Sequence, residues 1–66
     1  MGKVLVVVEL RNGEEFKKLV NFNKFYDRID YFINSGVKFA TEEAIKSFFT
    51  QDVSPKEIRR AWYYAF

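Results

Sequence analysis

The chain contains no cysteine and no histidine, a single proline, a single methionine and three scattered glycines. Without cysteine there is no disulfide or thiolate, and without histidine the commonest metal ligand and general base is gone. A structural zinc site and thiol or imidazole catalysis are therefore excluded. Gly2, Gly13 and Gly36 lie too far apart to form a phosphate-cradling loop. An excess of charge of either sign is also missing: 11 basic residues face 9 acidic ones, for a formal net charge of +2. That rules out a polybasic tail and an acidic mimic of nucleic acid. No apolar run approaches the ~18 residues of a membrane span, and Val4–Val8 is too short and too soon followed by polar residues to be the core of a secretion signal. A soluble, cytoplasmic protein without membrane contact is expected.

What is present is apolar and aromatic. Of 66 residues, 48% are hydrophobic and 20% aromatic, eight of them Phe, which argues for a folded chain. A single small domain, 1–66, is expected. At this size the core is barely sufficient, so stability must come from dense packing, from association, or from both.

The run Val4-Leu5-Val6-Val7-Val8 is β-branched almost throughout and is closed by Arg11-Asn12-Gly13, which reads as a strand over Lys3–Leu10 with a turn behind it. A second strand follows at Glu14–Val20. A two-residue Asn12-Gly13 turn would pair Val8 with Lys17 and leave both faces mixed. A three-residue loop with Gly13 left-handed pairs Val8 with Phe16 and Val4 with Val20, and gathers Val4, Val6, Val8, Leu10, Phe16 and Val20 on one face. The second register sorts apolar from charged residues better, although it sets Glu9 against Glu15.

A first helix is predicted over Asn23–Ser35, with Phe25, Ile29, Phe32 and Ile33 on its apolar side, Asn21 or Asn23 as its cap and Gly36 as its stop. Val37–Ala40 is a short extended segment, a candidate third strand. Thr41-Glu42-Glu43 opens a second helix with stripe Ala44, Ile45, Phe48 and Phe49, ending near Gln51. Ser54-Pro55-Lys56-Glu57 combines a Ser cap, Pro at the first helical position and Glu three residues on, and Ile58, Ala61, Trp62 and Ala65 recur at helical spacing. A third helix to the C-terminus is the preferred reading. The rival is a terminal strand over Arg59–Phe66 with Ile58, Trp62, Tyr64 and Phe66 on one side. The expected fold is α+β, a β-hairpin followed by three helices.

No constellation suits catalysis. Glu14 and Glu15 sit at a turn, Glu42 and Glu43 in a helix's first turn, and Asp27 and Asp30 on a helix surface, each with a sufficient structural role. A protein that is not an enzyme, with no cofactor and no metal, is expected. Binding is the remaining class. The run Val53-Ser54-Pro55-Lys56-Glu57-Ile58-Arg59-Arg60, after the second helix, resembles the entry to the recognition helix of helix-turn-helix DNA-binding proteins. That resemblance implies groove or phosphate contacts from Lys56, Arg59, Arg60 and Tyr63. It departs from the pattern where Phe48 and Asp52 stand for a small residue and a glycine. The two halves carry six basic residues against five acidic, and five against four, so neither is a concentrated basic face. DNA binding is the alternative.

The aromatic excess points instead to protein binding, since exposed Tyr and Trp are enriched at interface hot spots. Tyr26, Tyr31, Trp62, Tyr63 and Tyr64 fall off the predicted core faces, with Arg59 and Arg60 beside them. The valine strand is a second surface. With Leu5 and Val7 on its reverse side, Val4, Leu5, Val6, Val7 and Val8 read as a dimer edge, and a homodimer is expected.

The opening Val6-Val7-Val8-Glu9-Leu10-Arg11-Asn12-Gly13-Glu14, running into an aromatic-rich helix in a chain without Cys or His, is similar in style to small accessory proteins of phages and prophages of Gram-positive bacteria. The resemblance implies a partner protein from host or phage and, for some members, inhibition of nucleases or defence systems. It assigns no residue a role.

Overall fold

A computed structural model describes residues 2–66. Strand β1 (Lys3–Leu10) turns into β2 (Glu15–Asn21), which leads directly into helix α1 (Phe22–Asn34). Helix α2 (Ala40–Ser47), one 3-10 turn (Pro55–Glu57) and strand β3 (Ile58–Ala65) follow. The fold is α+β, with a three-stranded antiparallel sheet in the order β2-β1-β3.

The hairpin takes the register that sorts its faces. Val8 pairs with Phe16 and Val4 with Val20. The three-residue loop is closed by Leu10 N–H donating to Glu14 O at 2.8 Å and Gly13 N–H donating to Leu10 O at 3.0 Å. Gly13 sits at φ 92, where a side chain would be strained. Asn21 caps α1 through its side-chain oxygen, which accepts from Asn23 N–H at 2.8 Å. The helix ends in a Schellman motif: Gly36, at φ 78, donates to Ile33 O, and Val37 donates to Phe32 O.

Three expectations are corrected. The third helix does not form, because Ile58–Ala65 is a strand paired with β1 along its length. The start signals at Ser54-Pro55-Lys56-Glu57 produce only one 3-10 turn, which is tied to the hairpin by Arg11 N–H donating to Glu57 O at 2.9 Å and Arg11 Nε donating to Lys56 O at 2.9 Å. The place of a third strand belongs to this segment and not to Val37–Ala40, which forms a turn leading into α2. Finally, β1 is the central strand, so Val4–Val8 is no dimer edge: both of its backbone edges are already paired.

The core lies between one sheet face and the two helices. Val4, Val6, Val8 and Leu10 of β1 and Ile58 of β3 meet Phe25 and Ile29 of α1, Ala44 and Ile45 of α2, and Phe49. Ile58 reaches that face through a bulge. Glu9 faces Arg60 and Leu10 faces Ile58, which leaves Arg59 as the extra residue and flips the alternation. On α1 the inward stripe is Phe22, Phe25, Ile29 and Phe32, and Ile33 is turned outward at 56% exposure. Lys18 points to the helix side of β2, where its ammonium meets Asp52 Oδ2 at 2.6 Å and donates to Phe48 O at 2.9 Å. It thereby ties the segment after α2 to the sheet.

Phe49 is fully buried and Ile33 is not. Phe49→Ala is expected to cost about 3–5 kcal/mol, much of the stability of so small a domain, whereas Ile33→Ala should stay within about 1 kcal/mol. Urea unfolding of the two variants checks this. Equal losses would mean that the helices pack in another rotation.

Candidate protein-binding surface

Strand alternation decides what stands on the other face of the sheet. Opposite Leu5 lie Leu19 on β2 and Tyr64 on β3; opposite Val7 lie Lys17 and Trp62; opposite Glu9 lie Glu15 and Arg60. Both helices pack against the first face, so among the described residues this second face carries no layer of its own. Val7 is nevertheless completely buried, and it stands apart from the helix-side core. A small side chain on the central strand between Lys17 and Trp62 is covered by its larger neighbours.

The result is an apolar surface formed by Leu5, Leu19, Trp62 and Tyr64 over the buried Val7. Leu19 is 59% exposed and Tyr64 54%. The two β3 rings are held relative to one another: Trp62 Nε1 donates to the Tyr64 hydroxyl at 3.1 Å. Preorganised aromatic rings lose little rotamer freedom on contact, which suits them to binding.

One end of this face is polar. Arg60 Nε donates to Glu9 Oε1 at 2.7 Å, and the guanidinium also lies 5.7 Å from the Trp62 ring centre. Glu9 and Glu15 are direct cross-strand neighbours, a repulsive arrangement, and Arg60 supplies the cation that offsets it. Its hydrogen bond holds the Glu9 carboxyl below the usual carboxylate range, and the same bond raises Arg60. Lys3 adds exposed positive charge to the rim, and Lys17, exposed as well, lies 4.0 Å from Glu15 Oε1.

The seven side chains expected to act together are separated by the fold. Trp62, Tyr64 and Arg60 share the open face. Tyr63, one residue out of phase, is on the helix side with its ring 4.8 Å from Phe25. Tyr26 is beside them on α1, edge-on to Phe22 at 4.6 Å. Tyr31 is further along α1 and packs edge-on against Phe32 at 5.1 Å. Arg59 is the exposed bulge residue, and Lys56 lies in the 3-10 turn. Lys56, Arg59, Arg60 and Tyr63 therefore do not line one face of a recognition helix, because that element is a turn and a strand. Sequence reading passed over Leu19 as a surface residue. The signal was available, since the hairpin register that sets Val4 against Val20 also sets Leu19 against Leu5 on the reverse face.

Among the described residues no helix is long and apolar enough to cross a membrane. No protein-family model matches the chain, and comparison with curated proteins and with solved structures also finds no match.

A carboxyl whose folded pKa lies below its unfolded value stabilises the fold above the unfolded value, and that contribution is lost as pH falls through the folded one. Glu9 is such a group. Arg60→Met is expected to raise the Glu9 pKa, measured by carboxyl-carbon NMR titration, and to flatten the acid side of the stability profile. An unmoved Glu9 titration would show that the pair does not set it.

Proposed function

We propose that the protein is a non-catalytic module that binds another protein through the open face of its sheet. The observation that carries this reading is the one-sided layering: both helices cover one face, while Leu5, Leu19, Trp62 and Tyr64 make the other apolar. A hydrophobic centre with aromatic anchors and a charged margin is the usual composition of a binding patch. The partner that fits presents an apolar ridge with acidic groups placed to meet Lys3 and Lys17. Tyr64 and Trp62 are the anchors, and Arg60 closes the rim. The likeness to small phage and prophage accessory proteins supports a setting in which the partner is a host or phage protein and binding is inhibitory.

Leu19 belongs to the open face and Ile33 is exposed on α1 away from it, so substitutions at the two positions separate this surface from the helices. A partner captured from a Gram-positive host lysate and then purified should bind Leu19→Asp at least about tenfold more weakly than the native chain, as expected for loss of one buried aliphatic side chain. Ile33→Ser should leave affinity unchanged. Trp62, the single tryptophan, should shift its emission to the blue on binding. Affinity that follows Ile33 and not Leu19, with Trp62 emission unmoved, would contradict the proposal.

A further inference from the structure

The two outer strands differ in how their free edges are protected. On β2, Lys17 and Lys18 occupy the middle of the strand, and Lys18 points inward to Asp52. Any two-fold pairing of β2 centred there sets Lys17 or Lys18 against its own copy, a common way in which proteins discourage edge association. Strand β3 has no such guard. It is eight residues long, contains neither lysine nor proline, and has its two arginines at one end.

The hydrogen-bond phase shows which of its backbone groups are free. Phe66 N–H donates to Lys3 O at 3.1 Å, so Phe66 faces Lys3 in a bonded pair. Alternation along the antiparallel ladder then makes Tyr64, Trp62 and Arg60 the bonded partners of β1. The N–H and C=O groups of Ala61, Tyr63 and Ala65 consequently point away from β1, along the outer edge.

We propose that β3 pairs antiparallel with β3 of a second copy of this chain, joining two sheets into one of six strands. The occupant is inferred from the self-complementarity of the strand. With the two-fold axis at Trp62, Ala61 of one copy faces Tyr63 of the other, and Arg60 faces Tyr64. Small therefore meets large on the helix side, cation meets ring on the open side, and no like charges are opposed. A groove lies on the helix side beside this edge, between β3 and the segment leading into α2, lined by Phe39, Ala61 and Tyr63 among others. Phe39 is 63% exposed there. The Tyr63 ring of the second copy enters that groove over Ala61. The backbone contact runs along the edge of the sheet and does not depend on any other partner; on the open side it brings together Arg60, Trp62 and Tyr64 of both copies, so the six-stranded sheet would carry one continuous open face.

Tyr64→Lys and Tyr64→Glu test the pairing, because both remove the same exposed ring and differ only in the charge placed opposite Arg60 of the second copy. Sedimentation equilibrium of the purified chain should show a monomer–dimer equilibrium. The Lys variant should dissociate on the order of tenfold more readily than the Glu variant, a difference that salt erases. Amide exchange at Tyr63 and Ala65 should slow as native protein concentration rises. A strict monomer up to millimolar concentration would overturn the proposal. So would equal dissociation constants for the two variants, or amide exchange at Tyr63 and Ala65 that does not respond to protein concentration, the result expected if the open faces pack on each other.

Discussion

The pairing of β1 on both of its edges is the constraint from which the rest of the structure follows. Val4, Val6, Val7 and Val8 are all fully buried, a condition that a strand at the margin of a two-stranded hairpin does not meet. The second neighbour must come from elsewhere in the chain. It comes from the C-terminus, whose Trp62, Tyr63 and Tyr64 suit an extended conformation. Once β3 occupies that position, the chain between β2 and β3 has only two helices to deploy. Both are needed on the side where Val4, Val6, Val8 and Leu10 point.

This also explains which parts of the fold were legible in the sequence. The hairpin register could be read because one residue of slip exchanges faces, and only one register put Val4, Val6 and Val8 with Phe16 and Val20. The bounds of α1 were legible for a similar reason: Asn21 and Gly36 bear capping chemistry that depends on neighbours a few residues away. Residues 54–66 were not legible. Their local signals favour a helix, and the Ser54-Pro55 start is in fact used for one turn. What overrides the helix is a demand made some fifty residues earlier by β1, and local periodicity carries no record of it. The bulge at Arg59 obscured the alternation further, since it sets Ile58 on the face opposite Trp62 and Tyr64.

The candidate site was legible as composition but not as geometry. The aromatic excess is real, and much of it is exposed. Its division into an open-face pair, a Tyr26–Phe25–Tyr63 cluster and a Tyr31–Phe32 pair depends on strand phase and helix rotation. The Glu9–Glu15 opposition, a weakness of the hairpin taken alone, becomes acceptable once β3 brings Arg60 to Glu9. One strand thus completes the core through Ile58, neutralises the hairpin through Arg60, and carries the anchors of the proposed binding face. Its free edge supplies the proposed self-association.

The central claim is that Ile58–Ala65 is a strand lying beside β1, and close contacts between α-protons test it most directly. In the antiparallel ladder the pairs that exchange no backbone bonds bring their α-carbons nearest, to about 4.5 Å. The NMR spectrum of the native chain should therefore show α-proton contacts between Val6 and Tyr63 and between Val8 and Ala61. Strong successive amide–amide contacts through residues 58–65, with none from these residues to β1, would mean a C-terminal helix and would contradict the account.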